Sequence, residues 1–387
     1  MTIFHSQFED TRKLVDLEDF TLLTKRVIDF TLDTENVTSY KKTTDFLDWL
    51  DSNPHTAEVK KEKFNHLLDE LYSELSQKQK VESSNTLLLS TNNLIRSYKN
   101  SSFALGPISF EIKQGQIVGL VGENGNGKTT LLRALCGELQ PTSGELKYMF
   151  AYNDSYDLRS KLIYIPQRTT SWQGSLLSNL RFTAASYGIT GEENILITEL
   201  VVARMGLRKY RSYSWKNLSS GYKMRFELAR ALLRKPKLLL IDEPLANLDI
   251  LAQQIVLDDF RDIARSPFRP MGIVLSSQQL YEVEKTSDKV IFLKNGMPRN
   301  LLQDTDVSYI EIPKLIIEFE SEWKSEQLRE TLGQLELEKL QINGGTYVAC
   351  FPDNITQNDF LKTVLEHGIS VTYFRNISNS TRRFFLS

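Results

Sequence analysis

The residues from Gly122 to Thr130 read Gly122-Glu123-Asn124-Gly125-Asn126-Gly127-Lys128-Thr129-Thr130, three glycines closed by a lysine and two hydroxyls. In the spacing G-x-x-x-x-G-K-[ST], glycines let the backbone curl until successive N–H groups point inward, a cradle for phosphate oxygens. Lys128 adds a full positive charge directed at the β and γ phosphates of a nucleotide, and the Thr129 hydroxyl is placed to ligate Mg²⁺. Further along, the apolar run Leu238-Leu239-Leu240-Ile241 ends in Asp242-Glu243-Pro244. Asp242 is a candidate Mg²⁺ partner, directly or through water, and Glu243 a candidate base for polarising an attacking water.

These groups work only if secondary structure delivers them to one place. A short buried strand over Ile117–Val121 feeds the glycine loop, and a helix starts near Lys128 with Leu131, Leu132 and Leu135 on its apolar face. The helix N-terminus adds partial positive charge to the cradle. Leu238–Ile241 reads as a strand buried among neighbours, so its acids fall at its C-terminal end, the edge where open α/β sheets bind ligands. Further strands are expected over Leu162–Ile165, Ile273–Leu275 and Val290–Leu293, with a turn at Asn295-Gly296. Strand-like and helix-like stretches alternate from about 86 to 300, the signature of an α/β domain.

Two flanking regions differ in pattern. Residues 1–85 read as helical: Phe64, Leu67, Leu68, Leu71 and Leu75 recur at helical spacing, and Phe46, Leu47, Trp49 and Leu50 form a shorter face that opens after Thr43-Thr44 and stops at Asn53-Pro54. This region is either a bundle packed on the rest of the chain or a docking surface for a partner; SQKQKVESSN after it reads as a linker. Residues 301–387 are expected to form a small α+β domain, with strands at Leu315–Phe319, Thr346–Phe351 and Val371–Phe374 and helices at Leu328–Leu337 and Phe360–His367. No catalytic cluster stands out there, so a regulatory or dimerising role is the default.

Composition narrows the class of protein. The 387 residues are 41% hydrophobic and 25% charged, with a formal net charge of −2, which gives no global reason to expect a nucleic-acid partner. Cys136 and Cys350 are far apart and in no metal-ligand spacing; Cys136 falls in an apolar helix pattern and reads as a small core residue. No apolar run approaches the roughly 18 residues of a membrane span, and MTIFHSQFEDTRK lacks a signal-peptide layout. The expectation is an intracellular protein, held at a membrane, if at all, by something else.

Beyond the phosphate loop and the acidic strand, Leu218-Ser219-Ser220-Gly221-Tyr222 precedes that strand and opens the helix KMRFELARALLRKP. It resembles the LSGGQ signature of the ABC ATPases, with serine for the first glycine and tyrosine for the glutamine. Residues 86–300 resemble that family throughout, which implies a P-loop NTPase fold with a helical subdomain. The resemblance implies that Ser219, Ser220, Gly221 and Tyr222 contact ATP held by a second subunit, with the Ser219 hydroxyl and the helix N-terminus at its γ-phosphate, in a head-to-tail homodimer or heterodimer. It makes Gln167 a sensor of Mg²⁺ and γ-phosphate that faces the transport partner, places Ala246-Asn247-Leu248-Asp249 at the dimer interface, and puts Tyr98 against adenine. One position departs: the family usually ends its fifth core strand in a histidine, and alignment of VLSSQQLYEVEK on Leu280 and Glu282 puts Gln278 there. Glutamine donates a hydrogen bond but carries no proton. His5, His55, His66 and His367 all lie outside the cassette.

SLLSNLRFTAASYGI after Gln167, and the C-terminal unit ending in NSTRRFFLS, look like those of single-cassette ATPases serving ABC-2 type exporters. The first expectation is therefore an ATPase subunit on the inner face of the cell membrane, powering a separate integral-membrane permease. A soluble ABC ATPase acting on ribosomes or DNA is the second; the paired cassettes or long coiled coil of those classes are not seen. The third, motivated by Gln278, is a nucleotide sensor that hydrolyses ATP slowly.

Overall fold

The computed structural model describes residues 3–52, 54–78, 86–98, 103–246, 248–278, 280–299, 315–343 and 345–378. Four helices come first: α1 (Ile3–Asp16), α2 (Phe20–Thr34), α3 (Val37–Ser52) and α4 (Ala57–Gln77). The α/β region follows, with β1 (Leu87–Ser97), β2 (Ala104–Lys113), β3 (Ile117–Val121), α5 (Lys128–Leu135), β4 (Ser143–Tyr148), α6 (Ser155–Lys161), β5 (Leu162–Ile165), α7 (Leu176–Ser186), α8 (Gly191–Arg204), α9 (Ser220–Arg234), β6 (Leu238–Ile241), α10 (Ile250–Ala264), β7 (Gly272–Ser277), α11 (Leu280–Thr286), β8 (Lys289–Lys294) and β9 (Met297–Arg299). The last elements are β10 (Leu315–Ser321), α12 (Ser325–Leu332), β11 (Lys339–Asn343), β12 (Thr346–Phe351), α13 (Gln357–Glu366) and β13 (Val371–Asn376).

Six strands form one sheet in the order β5-β6-β7-β3-β8-β9, and the first five run parallel. β3, β6 and β7 are buried along their whole length, which is why β3 and β6 read as apolar runs and β7 as one closed by two serines. Asn295 and Gly296, both at positive φ, form the tight turn between β8 and β9. A second, antiparallel sheet, β2-β1-β4, was not apparent in the sequence. Its alternating burial is broken by register shifts between Thr91 and Leu94 and between Leu94 and Arg96, and these blur the period of two that marks a strand. Leu131, Leu132, Ala134 and Leu135 of α5 share one core with residues of both sheets, including Ile108, Phe110, Leu120 and Val274. That packing fixes the N-terminus of α5 at the end of β3.

The N-terminal helices belong to the same compact unit as the α/β region, residues 1–278 and 286–298. Phe4, Phe8, Phe30, Phe64 and Leu68 form their core, and Phe268 from the loop between α10 and β7 completes it. α3 begins at Val37, earlier than the expected start after Thr43-Thr44. Asn36 accepts the Thr38 amide at the helix start, while the Thr43 hydroxyl pairs with Thr31 at 2.8 Å across to α2. α8 is buried nearly all round, since α2 and α3 cover one side of it and α7 and α9 the other. Most of the linker at 76–85 and the Asn53 stop lie outside the described residues.

Residues 279–285 and 299–387 make a second unit. Its antiparallel sheet has the order β11-β12-β10-β13, and Leu328, Leu332, Phe360 and Val364 of α12 and α13 pack on Leu315, Ile317 and Phe319 of β10. The expected helix Leu328–Leu337 is displaced: α12 ends at Leu332, a short 3₁₀ turn follows, and Glu336 at φ 54° reverses the chain into β11, a strand the sequence reading missed. The NSTRRFFLS tail lies outside the described residues.

Candidate active site

β5, β6, β7 and β3 are neighbours in the parallel sheet, so the segments after their C-terminal ends converge on one edge. Those segments carry Gln167, Asp242-Glu243, Gln278 and the Gly122–Thr130 loop respectively. The loop's shape demands its glycines at two points. A Cβ at Gly122 would lie 2.4 Å from the Leu293 carbonyl oxygen, and Gly127 sits at φ 95° as the N-cap of α5. Asn126 is buried and its side chain accepts the Asn295 amide at 2.8 Å, which anchors the loop to the turn after β8. Glu123, Asn124, Gly125 and Thr129 are exposed, and Thr130 is half-buried.

Lys128 is buried, and its ammonium donates to the carbonyl oxygens of Gly122 at 2.6 Å and Glu123 at 3.2 Å. It also forms an ion pair with Glu243 at 3.2 Å. The Thr129 hydroxyl donates to Asp242 at 2.7 Å, so a hydroxyl and a carboxylate from residues far apart in sequence meet at the loop. Glu243 is held at φ 50°, a left-handed conformation that is strained for a residue with a Cβ.

Two residues that the sequence reading missed complete this cluster. The Ser276 hydroxyl, at the end of β7, donates to Asp242 at 2.6 Å and accepts the Glu243 amide at 2.9 Å. The Tyr164 hydroxyl approaches Asp242 at 3.4 Å; burial, and then the Asp242 charge, push its pKa well above that of an ordinary tyrosine. The only sequence signal for Ser276 was two serines closing an otherwise apolar strand. A cavity of about 750 Å³ brings together Thr129, Tyr164, Gln167 and Asp242, with Arg133 and Arg168 on its wall.

The remaining sequence-derived residues stand outside this cluster. Gln278 is exposed immediately after β7. Tyr98 is exposed after β1, with the Arg96 guanidinium 4.9 Å over its ring, whereas it is Phe103 whose ring lies against Gly127. Ser219 caps α9 by accepting the Tyr222 amide at 3.4 Å, and Ser220 is exposed beside it. The Tyr222 hydroxyl accepts from Tyr210 at 2.8 Å, and Gly221 lies near Leu248 and Ala252. Asp249 caps α10 by accepting the Ala252 amide at 2.9 Å; Asn247 lies outside the described residues. Cys136 is buried in the core, and burial pushes its thiol up to about 11. Among the described residues, no helix is long and apolar enough to cross a membrane.

Residues 105–246 match the family model described as ABC transporter. Over 211 residues the chain is 32% identical to an uncharacterized ABC transporter ATP-binding protein, YxlF of Bacillus subtilis, covering 54% of this chain and 68% of that protein. It is 27% identical over 225 residues to the phosphonates import ATP-binding protein PhnC of Treponema denticola, covering 54% of this chain and 87% of that one. The solved structure of cbiO1 from Clostridium perfringens, part of the ABC transporter complex cbiONQ, shares the fold with a TM-score of 0.51 at 24% identity, over 56% of this chain and 88% of that one.

Proposed function

The chain belongs to the ABC transporter ATP-binding proteins, and from that premise we propose that it binds ATP with Mg²⁺ at Gly122–Thr130 and hydrolyses it to drive a separate membrane permease. The observation that carries this reading is the convergence of Thr129, Asp242, Lys128 and Glu243 within two contacts, 2.7 Å and 3.2 Å, at the edge of adjacent parallel strands. The donor set fits Mg²⁺: a hydroxyl and a carboxylate are hard oxygen ligands, and this ion commonly takes one or two carboxylates alongside substrate phosphates. When bound, Mg²⁺ neutralises charge on the β and γ phosphate oxygens.

The chain's own residues supply the rest. Loop amides and the N-terminus of α5 bind phosphate oxygens, and Lys128 adds charge there. Asp242 and Thr129 hold the metal side, with Gln167 on the same cavity. Glu243 accepts a proton from the attacking water, and Gln278 donates a hydrogen bond toward the γ-phosphate. Tyr98 stacks on adenine. Ser219, Ser220, Gly221 and Tyr222 act on the ATP of a second copy, with Asp249 at the shared interface, because in this chain they stand apart from the Lys128 cluster. ATP drives the cycle through its higher affinity for the closed dimer.

We place the working protein at the inner face of the cell membrane, bound to its permease, with residues 1–85 and 301–387 as accessory regions flanking the 86–300 cassette. The resemblance of the segment after Gln167 to exporter ATPases favours export; relatives named for import make transport direction the point to measure in reconstituted vesicles. The direct test of the site is Glu243→Gln. With the base removed, ATP and Mg²⁺ are expected to hold a stable dimer in light scattering while phosphate release stops. A variant that stays monomeric at saturating ATP contradicts the two-copy site.

A further inference from the structure

Ser276 is fully buried next to the last residue of β7, the strand lying between β6 and β3. The ladder pairs Ile241 of β6 with Leu275, which sets Ser276 beside the two acids that follow β6. One hydroxyl has one proton and two lone pairs, and here both capacities are used on the same pair of residues. The proton goes to Asp242 Oδ1 at 2.6 Å, and a lone pair receives the Glu243 amide at 2.9 Å. Asp242 keeps its other oxygen for Thr129, at 2.7 Å. Glu243 leaves the strand at φ 50°, a conformation that a non-glycine residue keeps only when its surroundings hold it there.

We propose that Ser276 is a positioning residue for hydrolysis: its single hydroxyl fixes the metal-side carboxylate of Asp242 relative to the base Glu243. Its hydroxyl bonds to the two acids and acts through them. Without it, Asp242 Oδ1 loses a hydrogen bond in a buried site and the turn at Glu243 loses the contact that holds it. The base then samples positions from which the water is not aligned, and positioning losses of this kind appear in kcat more than in ATP binding. The inference rests on the roles given above to Asp242 and Glu243.

The test compares Ser276→Ala and Ser276→Thr with Glu243→Gln in the full chain, measuring ATP turnover, ATP affinity and the Mg²⁺ concentration for half-maximal rate. Alanine removes only the hydroxyl oxygen, whereas threonine keeps the hydroxyl and suits a buried strand. Ser276→Ala is expected to lower kcat roughly tenfold or more and to raise the Mg²⁺ requirement several-fold, with ATP affinity within about threefold of the parent. Ser276→Thr is expected to restore most of the rate. Equal losses in the alanine and threonine variants would mean that the site needs the serine's shape rather than its hydroxyl, and would overturn the proposal. So would an alanine variant with parental kcat and Mg²⁺ dependence; if Glu243→Gln is inactive in that case, only the role of Ser276 falls. A Glu243→Gln chain that turns over normally would instead remove the reading of the acids on which the proposal stands.

Discussion

At the scale of single residues, the ammonium of Lys128 donates to two carbonyl oxygens and faces the Glu243 carboxylate as an ion pair. A buried charge without partners is costly, so the cradle must supply them, and it does so largely from its own backbone. Gln278 is exposed immediately after β7 and is proposed to donate a hydrogen bond to the γ-phosphate. It follows Ser277, which pairs with Val121 at the mouth of the phosphate loop. What glutamine lacks is a titratable proton. If proton transfer at this position limits turnover, Gln278→His is expected to raise kcat roughly tenfold, short of the ~10²–10⁴ that full general acid–base catalysis supplies. Steady-state ATP hydrolysis with unchanged turnover would show that hydrogen bonding alone suffices there. Lys128, Thr129, Asp242 and Glu243 were all legible from local spacing. Ser276 and Tyr164 were not, because a buried hydroxyl at a strand end looks like any other until its neighbour across the sheet is known.

At the scale of elements, one buried guanidinium sits where the N-terminal helices meet the cassette. Arg204, at the end of α8, is fully buried and meets Asp29 of α2 at 2.7 Å, Asp259 of α10 at 2.6 Å and Asp262 of α10 at 3.5 Å. Burial works against its charge, but the aspartates outweigh burial and raise its pKa. Lys25 and Arg26 of α2 add ion pairs to Asp259 at 2.8 Å and Asp262 at 2.6 Å. α2, α8 and α10 therefore meet around charge rather than around apolar packing alone. Removing one partner from a buried cluster strands the others, at a cost of about 3–5 kcal/mol. Because Lys25 and Arg26 remain, Arg204→Ala is expected to cost about 3 kcal/mol in urea unfolding, the lower end of that range. A loss below about 1 kcal/mol, the usual worth of an exposed pair, would show that the lysine and arginine of α2 neutralise the acids unaided.

At the scale of the molecule, the chain divides into two compact units, each with its own apolar core. Units with separate cores can unfold separately, and a ligand that binds one of them stabilises that one. Scanning calorimetry is expected to resolve two transitions. ATP with Mg²⁺ at 100 times its Kd should stabilise the unit of residues 1–278 and 286–298 by about 2.7 kcal/mol and leave the other transition in place. A single transition that moves as a whole would mean that the two cores melt cooperatively. The sequence pattern sets residues 1–85 apart, whereas the division places the helices before residue 78 in the larger unit, where Phe268 completes their core.

The sequence by itself determined the phosphate loop, the acidic strand end and the alternation of strands and helices between them. Each is encoded in a contiguous run whose chemistry does not depend on distant residues. Tertiary structure decided which of those runs became neighbours: the order β5-β6-β7-β3 places Gln167, Asp242 and the loop on one edge. It also decided that Ser276 reaches back 34 residues to Asp242 and that Arg204 reaches back 175 residues to Asp29. The physical reason is that a side-chain hydrogen bond acts over about 3 Å, whereas the identity of the group at that distance is set by packing over the whole chain.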